Sequence, residues 1–104
     1  MNEMKIRIEE TISSVDKTTE LFYQNQIKSG YENLENTILI LSKTIDEIYR
    51  YKNQGNMIEV NEEELNEALT QAVNAMEEKD PLLLSDILQY EINEGLKKIQ
   101  ASII

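Results

Sequence analysis

The side chains able to do chemistry in this chain are nearly all carboxylates: it has 20 Asp and Glu, no His and no Cys. Without imidazole or thiol there is no soft metal site, no Cys or Ser–His nucleophile and no imidazole acid–base pair. Oxygen-ligated metals remain to be tested. A calcium hand around Gly55 fails on spacing. With Gly55 sixth in the loop, Arg50 stands first and Asn61 twelfth, where calcium requires carboxylates. A di-iron bundle needs Glu-x-x-His pairs and has no His to build them. Glu91 is the carboxylate set inside an apolar helical arc, with Gly95 one turn later on the same face. Glu91 has no catalytic partner in view. A mid-helix Gly costs about 1 kcal/mol relative to Ala. The pair has two readings: a close approach, with a neighbouring backbone or a partner at Gly95 and a base or tyrosine hydroxyl on Glu91, or a Glu91 at the arc's edge that reaches solvent beside a local irregularity at Gly95. No catalytic, cofactor or metal residue is assigned, and the chain reads as non-enzymatic.

Binding chemistry has more to work with. Residues 59–80 hold eight acids and one base, a net of −7 within a chain total of −10. Glu63, Glu67 and Glu78 on this segment are candidates for a face that docks a basic partner. The alternative is a solvated face whose first glutamates are favoured by the helix dipole. Two small apolar stripes lie off the main seams. Leu83 and Tyr90 share an azimuth about 140° from the principal arc of their helix, by the 100° per residue rule. Ile40 and Tyr51 share one roughly opposite the seam of theirs. Tyrosines are favoured anchors of protein interfaces, so these residues are candidates to bind a partner, Leu83 and Tyr90 first; the alternative is that a bundle buries its helices from two sides and that single exposed tyrosines are ordinary. The net charge of −10 opposes nucleic acid and anionic membranes.

These residues must be carried on helices. Met4, Ile8, Ile12, Val15, Thr19, Phe22 and Gln26 step by three or four along one face. The spacing predicts a first helix over about Asn2 to Ser29, with Gly30 as a left-handed C-cap. Tyr31, Leu34, Ile38, Leu41, Ile45 and Ile48 form a heptad-like seam on a second helix, Tyr31 to Lys52, ended near Gly55. Asn61 with Glu64 three residues on resembles a capping box, and Val60 with Leu65 a hydrophobic staple, opening a third helix. Asp80 caps a fourth with Pro81 at its first position, and its arc holds Leu84, Ile87, Leu88, Ile92, Leu96, Ile99 and Ile103. Short connections predict an all-α, four-helix up-down-up-down bundle or a close variant, the first two helices forming a hairpin, as one domain over 1–104. The longest uninterrupted apolar run, Ile38 to Leu41, is far short of the ~20 residues of a membrane span, and the N-terminus has no signal-peptide pattern. A cytoplasmic protein is the expectation.

The segment Leu82-Leu83-Leu84-Ser85-Asp86-Ile87-Leu88-Gln89-Tyr90-Glu91-Ile92, preceded by Glu77-Glu78-Lys79-Asp80, resembles a C-terminal signature of small uncharacterised helical bacterial proteins. That signature reads roughly Asp-x-x-Leu-Leu-x-Asp-Leu-Leu-x-Tyr-Glu; Pro81 departs from it at the helix start. The resemblance covers the last third of the chain and implies no activity. In size, acidity and helicity the whole chain is similar to flagellar export chaperones and related secretion adaptors, a likeness of type that does not fix function. Taken together, the expectation is a cytoplasmic adaptor or export chaperone that binds another protein and is linked to motility. The alternatives are a self-associating homodimer and an acidic inhibitor or immunity-type protein.

Overall fold

A computed structural model describes residues 2–104 and is all-α. Its elements are α1 (Glu3–Tyr23), α2 (Ile27–Asn53), α3 (Glu62–Glu77), α4 (Pro81–Ile87) and α5 (Asn93–Ser102), with a π-helical turn, Leu88–Ile92, joining α4 to α5 into one rod. Side-chain pairs set the directions. Arg7–Glu47, Thr11–Thr44 and Thr18–Asn33 run α1 and α2 antiparallel. Gln100–Glu9, Asn93–Asp16 and Tyr23–Asp86 do the same for α1 and the α4–α5 rod. A three-residue turn folds α3 back on α4. The result is the up-down-up-down order expected, with α1 packed on α2 along one side and on the rod along another.

The helix starts follow the sequence. Asn61 Oδ1 accepts from the Glu64 amide at 3.1 Å, and Asp80 Oδ1 from the Leu83 amide at 3.1 Å, with Pro81 just behind it. The end of α1 does not. α1 stops at Tyr23 and α2 begins at Ile27, so Gly30 is no C-cap but lies in the first turn of α2. The left-handed residue is Asn25, with φ of 60°. The amide of Gln26 reaches the Leu21 carbonyl at 2.9 Å and that of Asn25 the Phe22 carbonyl at 3.0 Å, a Schellman closure. Asn tolerates this conformation because its short polar side chain bonds locally. α3 ends the same way on Lys79, with φ of 55°, while α2 ends on Gly55, with φ of 88°, where the Asn56 side-chain amide donates to the Tyr51 carbonyl at 3.0 Å. Gly30 serves packing instead. A Cβ there would lie 2.5 Å from the ring of Phe22, which is fully enclosed and meets Tyr31 edge-on at 5.0 Å.

The fourth helix is interrupted for a reason visible in its spacing. Leu84, Leu88, Ile92 and Leu96 are all buried and step by four each time. In a straight α-helix three such steps drift about 120° around the axis. The wider π turn takes up much of that drift and keeps the four side chains on one line. It also turns Glu91 outward. Glu91 is exposed and does not lie in the arc.

The α1–α2 seam is partly polar. Thr11 and Thr44 share a 2.7 Å hydrogen bond, and Thr37 bonds Ser14 and Thr18, each at 2.8 Å. Small hydroxyl side chains satisfied by one another let the two backbones approach closely without leaving buried groups unpaired. On the other side, Asn93 is fully buried and donates to the Ile12 carbonyl at 3.3 Å and to Asp16 at 2.8 Å.

Candidate functional site

Four helices in up-down-up-down order have four packed edges when the bundle closes. Here the edge between α2 and α3 is the loose one: their backbones stand further apart than those of α1 and α2 or of α3 and α4, and Ile38, Leu69 and Met76 along it are only half-buried. The cause is how each helix spends its small residues. α3 buries Ala68, Ala72 and Ala75 beside Leu65, a flat strip that fits closely against α4 and the π turn. α2 turns Gly30, Thr37 and Thr44 toward α1. Both helices are thereby drawn away from each other, and each keeps a second apolar edge. On α2 this edge is Ile27, Tyr31, Ile38 and Leu39; on α3 it is Leu69, Val73 and Met76.

These edges face one gap. Its wide end, between Ile27, Tyr31 and Leu39 on one side and Met76 and Pro81 on the other, encloses about 940 Å³. It continues past Ile38 and Val73 into a narrower stretch of about 260 Å³, floored by Leu41, Ala72, Leu88 and Ile92. Leu39 is 65% exposed and Val73 50%, so both lips are apolar and open to water. Beyond the narrow stretch, toward the other end of the two helices, Lys52 on α2 and Glu62 on α3, both about half exposed, approach to 3.7 Å. Tyr49 stands beside them, its hydroxyl pKa raised by burial and then by the Glu62 charge. The groove is thus wide at the Ile27–Pro81 end and narrow toward Ile45 and Leu69. Grooves of this kind receive an amphipathic helix laid with its apolar face down.

The residues singled out from the sequence fall in three other places. Leu83 and Tyr90 are 43% and 67% exposed, on one face of the rod with Asp86. Tyr23 joins them by donating to Asp86 at 2.5 Å. Its pKa is pushed up to about 12, first by partial burial, then by that hydrogen bond and the Asp86 charge. Glu91 and Tyr90 share a shallow polar groove of about 320 Å³ with Glu67 and Gly95. No backbone approaches Gly95, since a Cβ there would meet nothing within 4 Å. The intramolecular close approach expected at that glycine is therefore absent, and Glu91 accepts no tyrosine hydroxyl among the described residues. Glu63 and Glu78 are exposed and line neither groove. Ile40 and Tyr51 do not form a free stripe. Tyr51 packs against the core and accepts from Asn2 Nδ2 at 3.0 Å, while Ile40 is half-buried.

The groove is hidden in the sequence because Tyr31 and Ile38 fit the heptad seam, and in the structure they do pack against the core while also bordering the groove. A signal was present. Ile38, Leu39, Ile40 and Leu41 are four consecutive apolar residues. They span about 300° of a helix, more than one neighbour can cover. A second apolar contact, or an exposed strip, follows.

No catalogued metal chemistry emerges at any of these places: among the described residues no three His, Cys, Asp or Glu converge to hold an ion. None of the described helices is long and apolar enough to cross a membrane. No curated protein and no solved structure matches the chain. A family model does, over residues 1–102, and the chain belongs to that family, described as a domain of unknown function, DUF8042.

Proposed function

We propose that this protein is a non-enzymatic binding module that seats an amphipathic helix of another protein in the α2–α3 groove. The observation that carries the reading is the loose edge: an otherwise completed bundle leaves one apolar seam, with Leu39 and Val73 exposed on its lips, where a further helix fits. A cytoplasmic adaptor or export chaperone is the preferred setting, motility among the processes it would serve. Such proteins shield an apolar helix of a client until it reaches its partner. The composition supports the absence of enzymatic chemistry, since no His or Cys is present.

The test is site-specific photo-cross-linking in cells of the source organism. A benzophenone side chain at Leu39 or at Val73 is expected to trap the same client segment, and that segment to have apolar residues at helical spacing. A probe at exposed Glu10, on the far side of α1, serves as the control. Adducts at Leu83 and Tyr90 with none at Leu39 or Val73 would move the binding site to the Tyr23–Asp86–Tyr90 face and overturn the groove reading.

A further inference from the structure

Resting on the reading of the α2–α3 groove as a helix-binding site, we infer that its occupant is a basic amphipathic helix of about five turns, a foreign segment and not a second copy of this chain. The length comes from the α2 edge, which runs from Ile27 to Ile45. Eighteen further residues at 1.5 Å each give about 27 Å, or five helical turns. The apolar pattern follows from facing two helices at once. α2 offers Tyr31 and Ile38, and α3 offers Leu69, Val73 and Met76, so the occupant needs a broad stripe, with anchors at i, i+3, i+4 and i+7.

The charge follows from the lips. Glu35 lines the wide end and Asp46 the narrow stretch. Neither enters an ion pair among the described residues, where the pairs are Arg7–Glu47, Lys52–Glu62 and Lys97–Glu94. Glu77, one turn beyond Val73 on α3, is also exposed and unpaired there. Lys79 is the ammonium group on the groove wall. The surrounding field has the same sign, because the α3 segment, residues 59–80, has a net charge of −7. Lysines or arginines flanking the occupant's apolar stripe would meet these carboxylates at the rim, where opposite charge raises the encounter rate and selects the partner. A second copy would bring Glu35, Asp46 and a charge of −10 against the same groups. Like charges set opposite one another oppose that pairing.

Three labelled 18-residue peptides with one shared Leu/Ile face and Lys, Gln or Glu flanks separate these ideas by fluorescence anisotropy. The intact chain should bind the Lys peptide at least about tenfold more tightly than the Glu peptide at low salt, with the gap closing in high salt as the charges are screened. Glu35→Gln with Asp46→Gln should shrink the gap. Leu39→Gln with Val73→Gln, both at exposed positions that spare the core, should weaken all three peptides. Equal binding of the three, lost in the Leu39/Val73 variant, overturns the basic occupant and leaves the groove standing. Binding that the Leu39/Val73 variant does not weaken overturns both. A dimer in sedimentation that the same variant dissociates overturns the foreign helix in favour of a second copy.

Discussion

Replacing Gly30 by Ala tests the junction of α1 and α2 directly. The new Cβ would stand 2.5 Å from Cδ1 and Cε1 of Phe22 and 3.1 Å from its Cγ. Carbon atoms prefer about 3.5–4.0 Å, so the ring must retreat by about 1 Å. It has nowhere free to go: Phe22 is 1% exposed and Tyr31 stands edge-on against it. Overpacking of this kind costs about 1–3 kcal/mol. Against it stands the higher helix propensity of Ala, worth up to about 1 kcal/mol in a helix interior and less in a first turn. The net expectation is a loss of about 1–2 kcal/mol, each kcal/mol lowering Tm by roughly 4–8 °C in a domain of this size. Urea and thermal unfolding of Gly30→Ala, Phe22→Leu and the double variant complete a cycle. If the ring is the obstacle, Ala at position 30 is much less harmful once Phe22 is Leu, and the coupling is about 1 kcal/mol or more. A Gly30→Ala protein as stable as the parent, or a double variant whose losses simply add, would refute the close packing of Phe22 on the α2 backbone. Strict additivity is also what a left-handed backbone at Gly30 would produce, so the cycle separates the two accounts.

Leu41 and Ile45 should respond unequally to Ala. Both are losses within the ~2–5 kcal/mol expected of buried aliphatics. Both border the narrow stretch of the groove, but Leu41, 3% exposed, belongs in the middle of that range and Ile45, 9% exposed, at its lower end, as denaturant titration will show. Tyr23 gives a pH prediction. Its pKa is raised to about 12 from 10 because burial and Asp86 favour the neutral phenol. The folded state therefore holds this proton more tightly than the unfolded chain does, and the stabilisation is complete below pH 10 and lost as pH rises toward 12. Tyr23→Phe should flatten that decline, and phenolate absorbance in the folded parent should show one hydroxyl ionising late; a decline identical in the variant would discount the Asp86 contact. Leu83→Ser with Tyr90→Ala should lower Tm only modestly, since both side chains are largely exposed. A collapse of the fold would make them structural. Glu63, Glu67 and Glu78 changed together to Gln should leave the fold intact and flatten the salt dependence of partner binding, because exposed charges act on encounter and are screened.

Much of the architecture is legible in the chain itself, because local physics decides it. The three- and four-residue steps of the apolar residues specify helices, Asn61 and Asp80 cap two of them through their own side chains, and Pro81 stands where a missing amide costs nothing. Short connections between amphipathic helices then leave few orders in which the faces can all be covered. What the chain did not disclose depends on which neighbour each face meets. Gly30 reads as a stop by type, yet Asn25 makes the stop and Gly30 makes room for Phe22, a contact that exists only once α1 and α2 are folded together. Glu91 reads as inward at 100° per residue, but a π turn rotates it out and keeps Leu84, Leu88, Ile92 and Leu96 on one buried line. Tyr31 and Ile38 read as core, and both do pack against it, yet each stays half-buried and borders the groove. Whether a seam is buried is settled by the partner opposite, and the alanines of α3 and the threonines of α2 draw those two helices apart. Periodicity assigns a face to a helix; only the tertiary packing decides whether that face is covered or left as a groove.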